Sequence, residues 1–173
     1  MGLSFSSSSS SAPIASGVDT EEPMADEATA RAWLAEEGFA EGDLRSEITI
    51  DDYEWFPMLD ACCEGELGVC KWLHNNGAAA DITKANNNGA TPMWIACGKG
   101  HLSVCKWLFE GGAAADITKA DNYGATPIWV ACEQGQLSVC KWLFEVGAAA
   151  DITKADNDGD TPMYTACANG QLS

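Results

Sequence analysis

Residues 89–110 read GATPMWIACGKGHLSVCKWLFE, a run that gathers two cysteines, two tryptophans and a histidine. Such density fits either a thiol or metal site or a hydrophobic core. The chain decides between them by repetition. The same words return as GATPIWVACEQGQLSVCKWLFE over residues 124–145 and as GDTPMYTACANGQLS over residues 159–173. One period earlier, residues 54–75 read EWFPMLDACCEGELGVCKWLHN, a worn copy that keeps Pro57, Ala61, Gly65, Leu67, Val69, Trp72 and Leu73 in register. The period is 35 residues. Self-similarity at this spacing marks a stacked array, in which each unit covers its neighbour's apolar face and about three units are needed for stability.

Within one unit, Thr91-Pro92 opens a helix, because proline is tolerated in a first turn where its missing N–H has no partner to lose. Met93, Ala96 and Cys97 fall on one face at helical spacing. Gly100 breaks the run. Leu102, Val104, Cys105, Leu108 and Phe109 form a second apolar helix, which Gly112 is placed to end. The link GAAADITKADNYGA is too short and too rich in Gly, Asn and Asp for a third helix. Its tips, Asn88-Gly89 and Asp158-Gly159, signal turns. The expected unit is helix, tight turn, helix and a projecting hairpin-like finger. The units span 51–85, 86–120, 121–155 and a partial 156–173.

Ahead of the array, residues 1–27 are Ser-rich and then acidic, and read as a disordered tail. Its start fits M-G-x-x-x-[ST], with Gly2 as a myristoylation acceptor, although one acyl chain with no polybasic patch or nearby cysteine supports only weak membrane association. Residues 28–50 hold a degenerate cap and its connection. Trp33-Leu34-x-Glu36-x-Gly38 matches Trp107-Leu108-x-Glu110-x-Gly112, so ATARAWLAEEGF is the second helix of a missing unit.

The formal net charge is −17. Residues 1–60 carry 14 acids and 2 bases, residues 61–173 only 12 acids and 7 bases, so the acidity belongs mostly to the leading segment. It opposes nucleic acid, whose phosphates call for a Lys/Arg surface, and leaves a basic protein partner open. No apolar run is long enough to span a membrane. The start lacks the charged and apolar regions of a secretory signal, which leads us to expect the cytosol or nucleus, where the eight cysteines stay reduced.

These residues resemble the ankyrin repeat. Its T-P-L-H-x-A signature is matched by Thr91-Pro92-Met93-Trp94-Ile95-Ala96 and Thr126-Pro127-Ile128-Trp129-Val130-Ala131. Gly100-His101-Leu102, Leu108 and Gly112-Ala113 fit the family's turn and finger start. The resemblance covers residues 50–173 and implies an all-α solenoid of helix–turn–helix units with β-hairpin-like fingers. It departs in period, the extra residues falling in GAAADITK. It also departs at the family's histidine, replaced by Trp94, Trp129, Tyr164 and Leu59, so that the usual histidine hydrogen bond to the turn is absent.

By the same resemblance, Cys62, Cys97, Cys132 and Cys167 stand where a small alanine is common, and Cys70, Cys105 and Cys140 where a valine is. Both positions face the interior, and free cysteine packs as a small hydrophobe. Equivalent cysteines in units stacked about 10 Å apart lie too far apart for a disulfide, which needs Cα atoms within about 7 Å. Cys62-Cys63 with His74 lacks zinc spacing. No cofactor is expected. Trp72, Trp107 and Trp142 replace a core leucine and lean on the neighbouring unit, whereas Trp94 and Trp129 sit at the mouth of the first helix.

Residues 86–120 and 121–155 differ at eight positions. Several are polar or near a fingertip: Asn86/Asp121, Asn88/Tyr123, Gly98/Glu133, Lys99/Gln134 and His101/Gln136. The next unit adds Asp158 and Asp160. A surface that varies on a constant frame suits a binding module. The candidate partner-binding residues are therefore Asn88, Lys99, His101, Tyr123, Trp129, Glu133, Gln134, Asp158 and Asp160. Constant Asp81, Asp116 and Asp151, with Lys84, Lys119 and Lys154, read as ladders of solvated charge. An enzyme is disfavoured, because thiol chemistry needs a basic partner at hydrogen-bond reach and His74 and His101 stand at nonequivalent positions. The expected function is a noncatalytic protein-interaction module. The alternative is a regulatory fragment of a longer protein. The final GQLS aligns with the turn ahead of VCKWLFE in earlier units, so the last half unit is expected to leave Met163, Ala166 and Cys167 uncovered.

Overall fold

The computed structural model describes residues 22–40 and 42–171. The Gly2 acceptor motif and residues 1–21 of the Ser-rich tail lie outside the described residues. Helix α1 spans Glu27–Glu36, capped by the Asp26 carboxylate, which accepts from Thr29 N at 2.8 Å. A short hairpin follows, β1 Ile48–Ile50 and β2 Tyr53–Trp55. Ile48 is paired with Trp55, and Asp51 and Asp52 take left-handed backbone at the turn. Then come three helix pairs: α2 Pro57–Glu64 with α3 Leu67–Leu73, α4 Pro92–Lys99 with α5 Leu102–Leu108, and α6 Pro127–Glu133 with α7 Leu137–Leu143. A last first-type helix, α8, covers Pro162–Ala168.

The first helices α2, α4, α6 and α8 pack closely side by side, while α3, α5 and α7 barely touch one another. Fully buried Ala61, Ala96 and Ala131 let the first helices approach. The face of the tighter row, with the fingers beside it, is called the inner side below. Phe56, Met58, Leu59, Leu67, Leu73, Met93, Leu108, Ile128 and Leu143 form one continuous core along the array. Helix α1 packs on α3, the place of a preceding second helix. Residues 22–26, within the stretch read as tail, run extended beside it: Ala25 N donates to Gly68 O at 3.0 Å, and Gly68 N donates to Glu22 Oε1 at 3.2 Å.

Units interlock at the turn between their helices. Gly65 and Gly100 end α2 and α4 in left-handed backbone, φ 81° and 85°. A Cβ on Gly65 would lie 2.5 Å from His101 Nδ1 of the next unit. The glycine thus supplies both the turn and the space. His101 Nε2 in return donates to Cys63 O at 2.9 Å.

The fingers correct the sequence reading in two respects. Among the described residues only the first, at 48–55, is a hairpin of strands. In the others, Ala79–Thr83, Ala114–Thr118 and Ala149–Thr153 each form one 3₁₀ turn, so the link does hold a third helical element. One such turn needs only a few residues, here Ala-Ala-Asp, and Ile82 and Ile117 anchor it in the core. The second correction concerns Asp81 and Asp116, which are buried rather than solvated, while Asp151 is half-buried. Asp81 is fully buried and grips Arg45, whose Nε donates to Oδ1 at 3.1 Å and Oδ2 at 3.0 Å and whose Nη2 donates to Oδ1 at 2.6 Å. Asp116 is 5% exposed, with Lys119 Nζ 3.9 Å from its Oδ1, and burial raises its carboxyl above the usual carboxylate range.

The fingertips are tied by asparagines. Asn122 N donates to Asn88 O at 2.9 Å and Asn122 Nδ2 to Asn87 O at 2.9 Å; Asn157 repeats both bonds to Tyr123 O and Asn122 O. Asn87 joins the hairpin, donating to Asp52 O and accepting from Glu54 N. Replacing Asn122 with Ala should cost about 1 kcal/mol in urea unfolding, the usual net worth of one such bond. An unchanged midpoint would mean that the backbone bonds alone align the fingertips.

Candidate protein-binding groove

Thr91 fixes the start of α4, its Oγ1 accepting from Trp94 N at 3.2 Å. This holds Trp94 in the first turn, facing the finger of the next unit. Its indole Nε1 donates to Ala125 O at 2.9 Å, and Trp129 Nε1 donates to Asp160 O at 2.9 Å. Tryptophan therefore makes a bond between units at the position where the resemblance leads one to expect histidine. Tyr164, in the same column of α8, is 59% exposed, and Leu59 is buried.

Two cavities open along the inner side and share Trp94 and Ile95. The larger, about 320 Å³, lies between fingertips and is walled by Tyr53, Trp55, Asn88, Asp121 and Tyr123. The smaller, about 220 Å³, lies between α4 and α6 and is walled by Gly98, Lys99, Val130, Glu133 and Gln134. They form one aromatic-floored groove with acids at its rim.

Of the candidate residues, Asn88 and Tyr123 meet in the larger cavity, and Lys99, Glu133 and Gln134 in the smaller. Trp129, half-buried, joins Asp160 one unit on through its indole N–H. Asp158 is at an exposed tip, where its N–H donates to Asp156 Oδ1. His101 does not join the two cavities, since its ring is committed to the Cys63 carbonyl. Tyr53, Trp55 and Ile95 were not among the candidates. Tyr53 was legible, because it stands in the same repeat column as Asn88, Tyr123 and Asp158. Trp55 needed the hairpin, whose signal was Asp51-Asp52 between ITI and YEW.

The electrostatics are acidic at several points. Burial, opposed by hydrogen bonds from the Ala125 and Tyr123 backbone, raises the Asp121 carboxyl. Asp60, in the column of Ile95, is pushed up to about 6 by burial and then by Glu37 and Glu64. A carboxyl whose folded pKa is raised from 3.8 favours the fold while protonated, so this contribution is present at low pH and lost as pH rises from about 4 through 6. Asp60→Asn should raise stability at pH 7 by about 1 kcal/mol, after allowance for screening of a partly exposed group, and should flatten the 4-to-6 dependence. Urea titrations of both proteins at pH 4 and pH 7 measure it; equal pH dependence would refute the assignment.

The cysteines are all free. Cys62, Cys63, Cys70, Cys97 and Cys105 are buried as expected, but Cys132 and Cys140 are half-buried and Cys167 is exposed, because α8 has no second helix over it among the described residues. Met163 is likewise 55% exposed, while Ala166 is covered. The sequence reading compared cysteines between units and missed the contact within each: Cys62–Cys70, Cys97–Cys105 and Cys132–Cys140 bring their Sγ atoms to 3.7, 3.6 and 3.5 Å. No group of three or more His, Cys, Asp or Glu placed to hold a metal occurs among the described residues. The second-helix tryptophans do lean on neighbours: Trp107 meets His74 edge-on at 5.8 Å, Trp142 meets Phe109 at 5.8 Å, and Arg31 lies over Trp72. No described helix is long and apolar enough to cross a membrane.

Comparison with known proteins bears on the whole array. A family model described as ankyrin repeats (3 copies) matches residues 32–121, 58–156 and 115–173. No curated protein matches the chain.

Proposed function

Because the chain belongs to the ankyrin-repeat family, whose repeats are protein–protein interaction modules, we propose that it acts without catalysis, holding a Lys- or Arg-bearing segment of a partner protein in the groove. The observation that carries this reading is the continuity of the two cavities through Trp94 and Ile95, with Asp121 and Glu133 beside the aromatic floor. Aromatic faces attract cations and supply anchors that bury large area, and nearby carboxylates speed the encounter with a basic partner. Asp158 and Asp160 extend the acidic rim, with Trp129 as a further anchor. Nucleic acid is disfavoured by the net charge of −17, and a role in the cytosol or nucleus accords with eight unpaired thiols. Membrane contact enters only through acylation at Gly2.

Selection of displayed random peptides on the purified chain tests the proposal. Enriched peptides should carry Lys or Arg beside apolar residues, and their affinity should fall as salt is raised. Enrichment of acidic peptides, or binding unaffected by Glu133→Lys and Tyr123→Ala together, would contradict it.

A further inference from the structure

We infer that the larger cavity is an aromatic cage for the head of an N-methylated lysine side chain, an inference that rests on the groove being the seat of a basic segment. The repeat columns build the cage. One fingertip column reads Tyr53, Asn88, Tyr123 and Asp158, and the column two residues on reads Trp55, Ala90, Ala125 and Asp160. The small residues of the middle finger therefore leave a notch between aromatic neighbours: Tyr53 and Trp55 on the hairpin, Tyr123 on the third finger, and Trp94 at the start of α4. The notch measures about 320 Å³. Both tyrosines are exposed, so their rings stand open to a ligand rather than inside the core. One unit further on, the same columns supply Asp158 and Asp160, and the aromatic wall is not repeated.

The rings are held in place before any ligand arrives. Asn87 bonds the hairpin at Asp52 O and Glu54 N, and Asn122 bonds the middle tip at Asn88 O and Asn87 O, so the three tips keep their spacing and little ordering is left to binding. Trp94 commits its indole N–H to Ala125 O, which leaves carbon surface to the cavity. Asp121, whose Oδ1 accepts from Tyr123 N and Ala125 N, adds a carboxylate to the wall. An unmethylated ammonium brings three strongly hydrated N–H donors, more than a mostly aromatic wall with one carboxylate can satisfy. Methyl groups remove those donors, spread the charge over carbon and pack on ring faces, the geometry that favours cation–π attraction. The cavity runs on through Trp94 and Ile95 into the smaller one, which gives the flanking residues of a peptide a course that a free quaternary ammonium compound would not use.

The test titrates the full chain with acetyl-lysine methylamide in its unmethylated, dimethyl and trimethyl side-chain forms, with the matching arginine derivative and with choline, and follows the indole N–H signals. Trp55 and Trp94 should move on one saturation curve while Trp129 stays in place. The dimethyl and trimethyl forms should bind at least about fivefold more tightly than the unmethylated one. Two variants borrow residues that the repeat itself carries in these columns: Tyr123→Asn, as at Asn88, and Asp121→Asn, as at Asn86, whose Oδ1 accepts the same pair of turn bonds from Asn88 N and Ala90 N. Each should weaken the methylated forms at least about threefold with little change in unfolding midpoint; if one variant unfolds, the other decides. Equal affinity for methylated and unmethylated forms, tighter binding of choline or of the arginine derivative, or undiminished binding by the variants overturns the inference. So does a failure of Trp55 and Trp94 to move: selected basic peptides that still bind would then leave the groove standing without its cage, whereas methylated forms that bind a chain with no affinity for basic peptides would uphold the cage and remove the groove.

Discussion

Met93→Ala should lower the unfolding free energy by about 3 kcal/mol, within the range of about 2 to 5 usual for a buried methionine. Met163→Ala, the same substitution at the same repeat position, should cost less than about 0.5 kcal/mol, as exposed substitutions usually do. Met93 is fully buried between the first helices of the neighbouring units, while Met163 is 55% exposed. The side chain and the local helix are equivalent, so the difference isolates the covering of one unit by the next. In an array, a loss in the middle unit also weakens the interfaces on both sides. Urea unfolding followed by tryptophan fluorescence measures both. Equal losses would mean that each unit's helices hold themselves together, and that stacking is not what stabilises the chain.

The second large effect concerns binding. Trp94→Ala should weaken a groove-selected basic peptide by at least about tenfold, the loss expected of a central aromatic anchor. Trp94 is the aromatic side chain common to both cavities, which also share Ile95, and its ring is fixed by the bond from Nε1 to Ala125 O. Trp94→Phe separates the two roles. It keeps an aromatic floor, so affinity should hold within about threefold, while losing the indole bond should cost about 1 kcal/mol of stability. Titration calorimetry with one peptide against the three proteins reads the affinities. If Trp94→Ala binds like the parent, the larger cavity is not where the peptide sits.

Much of this was legible in the letters, because the repeat prints each environment several times. Thr91-Pro92, Gly100 and Gly112 mark helix limits by backbone chemistry, and the column Met58, Met93, Ile128 is apolar because it faces the neighbouring unit. Contacts that cross between elements were not legible. Whether Cys97 meets Cys105 depends on the rotational phase of two antiparallel helices about a tight turn, which spacing alone leaves open. Asp81 looked like a surface charge because its partner, Arg45, lies in the irregular leading segment, outside the repeat register. The 3₁₀ turn at Ala79–Thr83 was hidden because its helical part is shorter than one amphipathic period. His101 varied between units like a recognition residue, yet it packs into the space of Gly65, where Gln136 serves the same turn against Gly100. Variation there changes an interface between units rather than the groove.

The seven tryptophans offer the most direct measurement of where a partner binds. Trp55, Trp94 and Trp129 belong to the inner side, and Trp33, Trp72, Trp107 and Trp142 to the helices behind it. In a nitrogen-15 spectrum of the indole N–H groups, titrated with a selected basic peptide, the first three signals should move with a common saturation curve and the other four should stay in place. Movement confined to Trp33, Trp72, Trp107 and Trp142, with Trp55, Trp94 and Trp129 unchanged, would put the partner on the outer helices and contradict the groove.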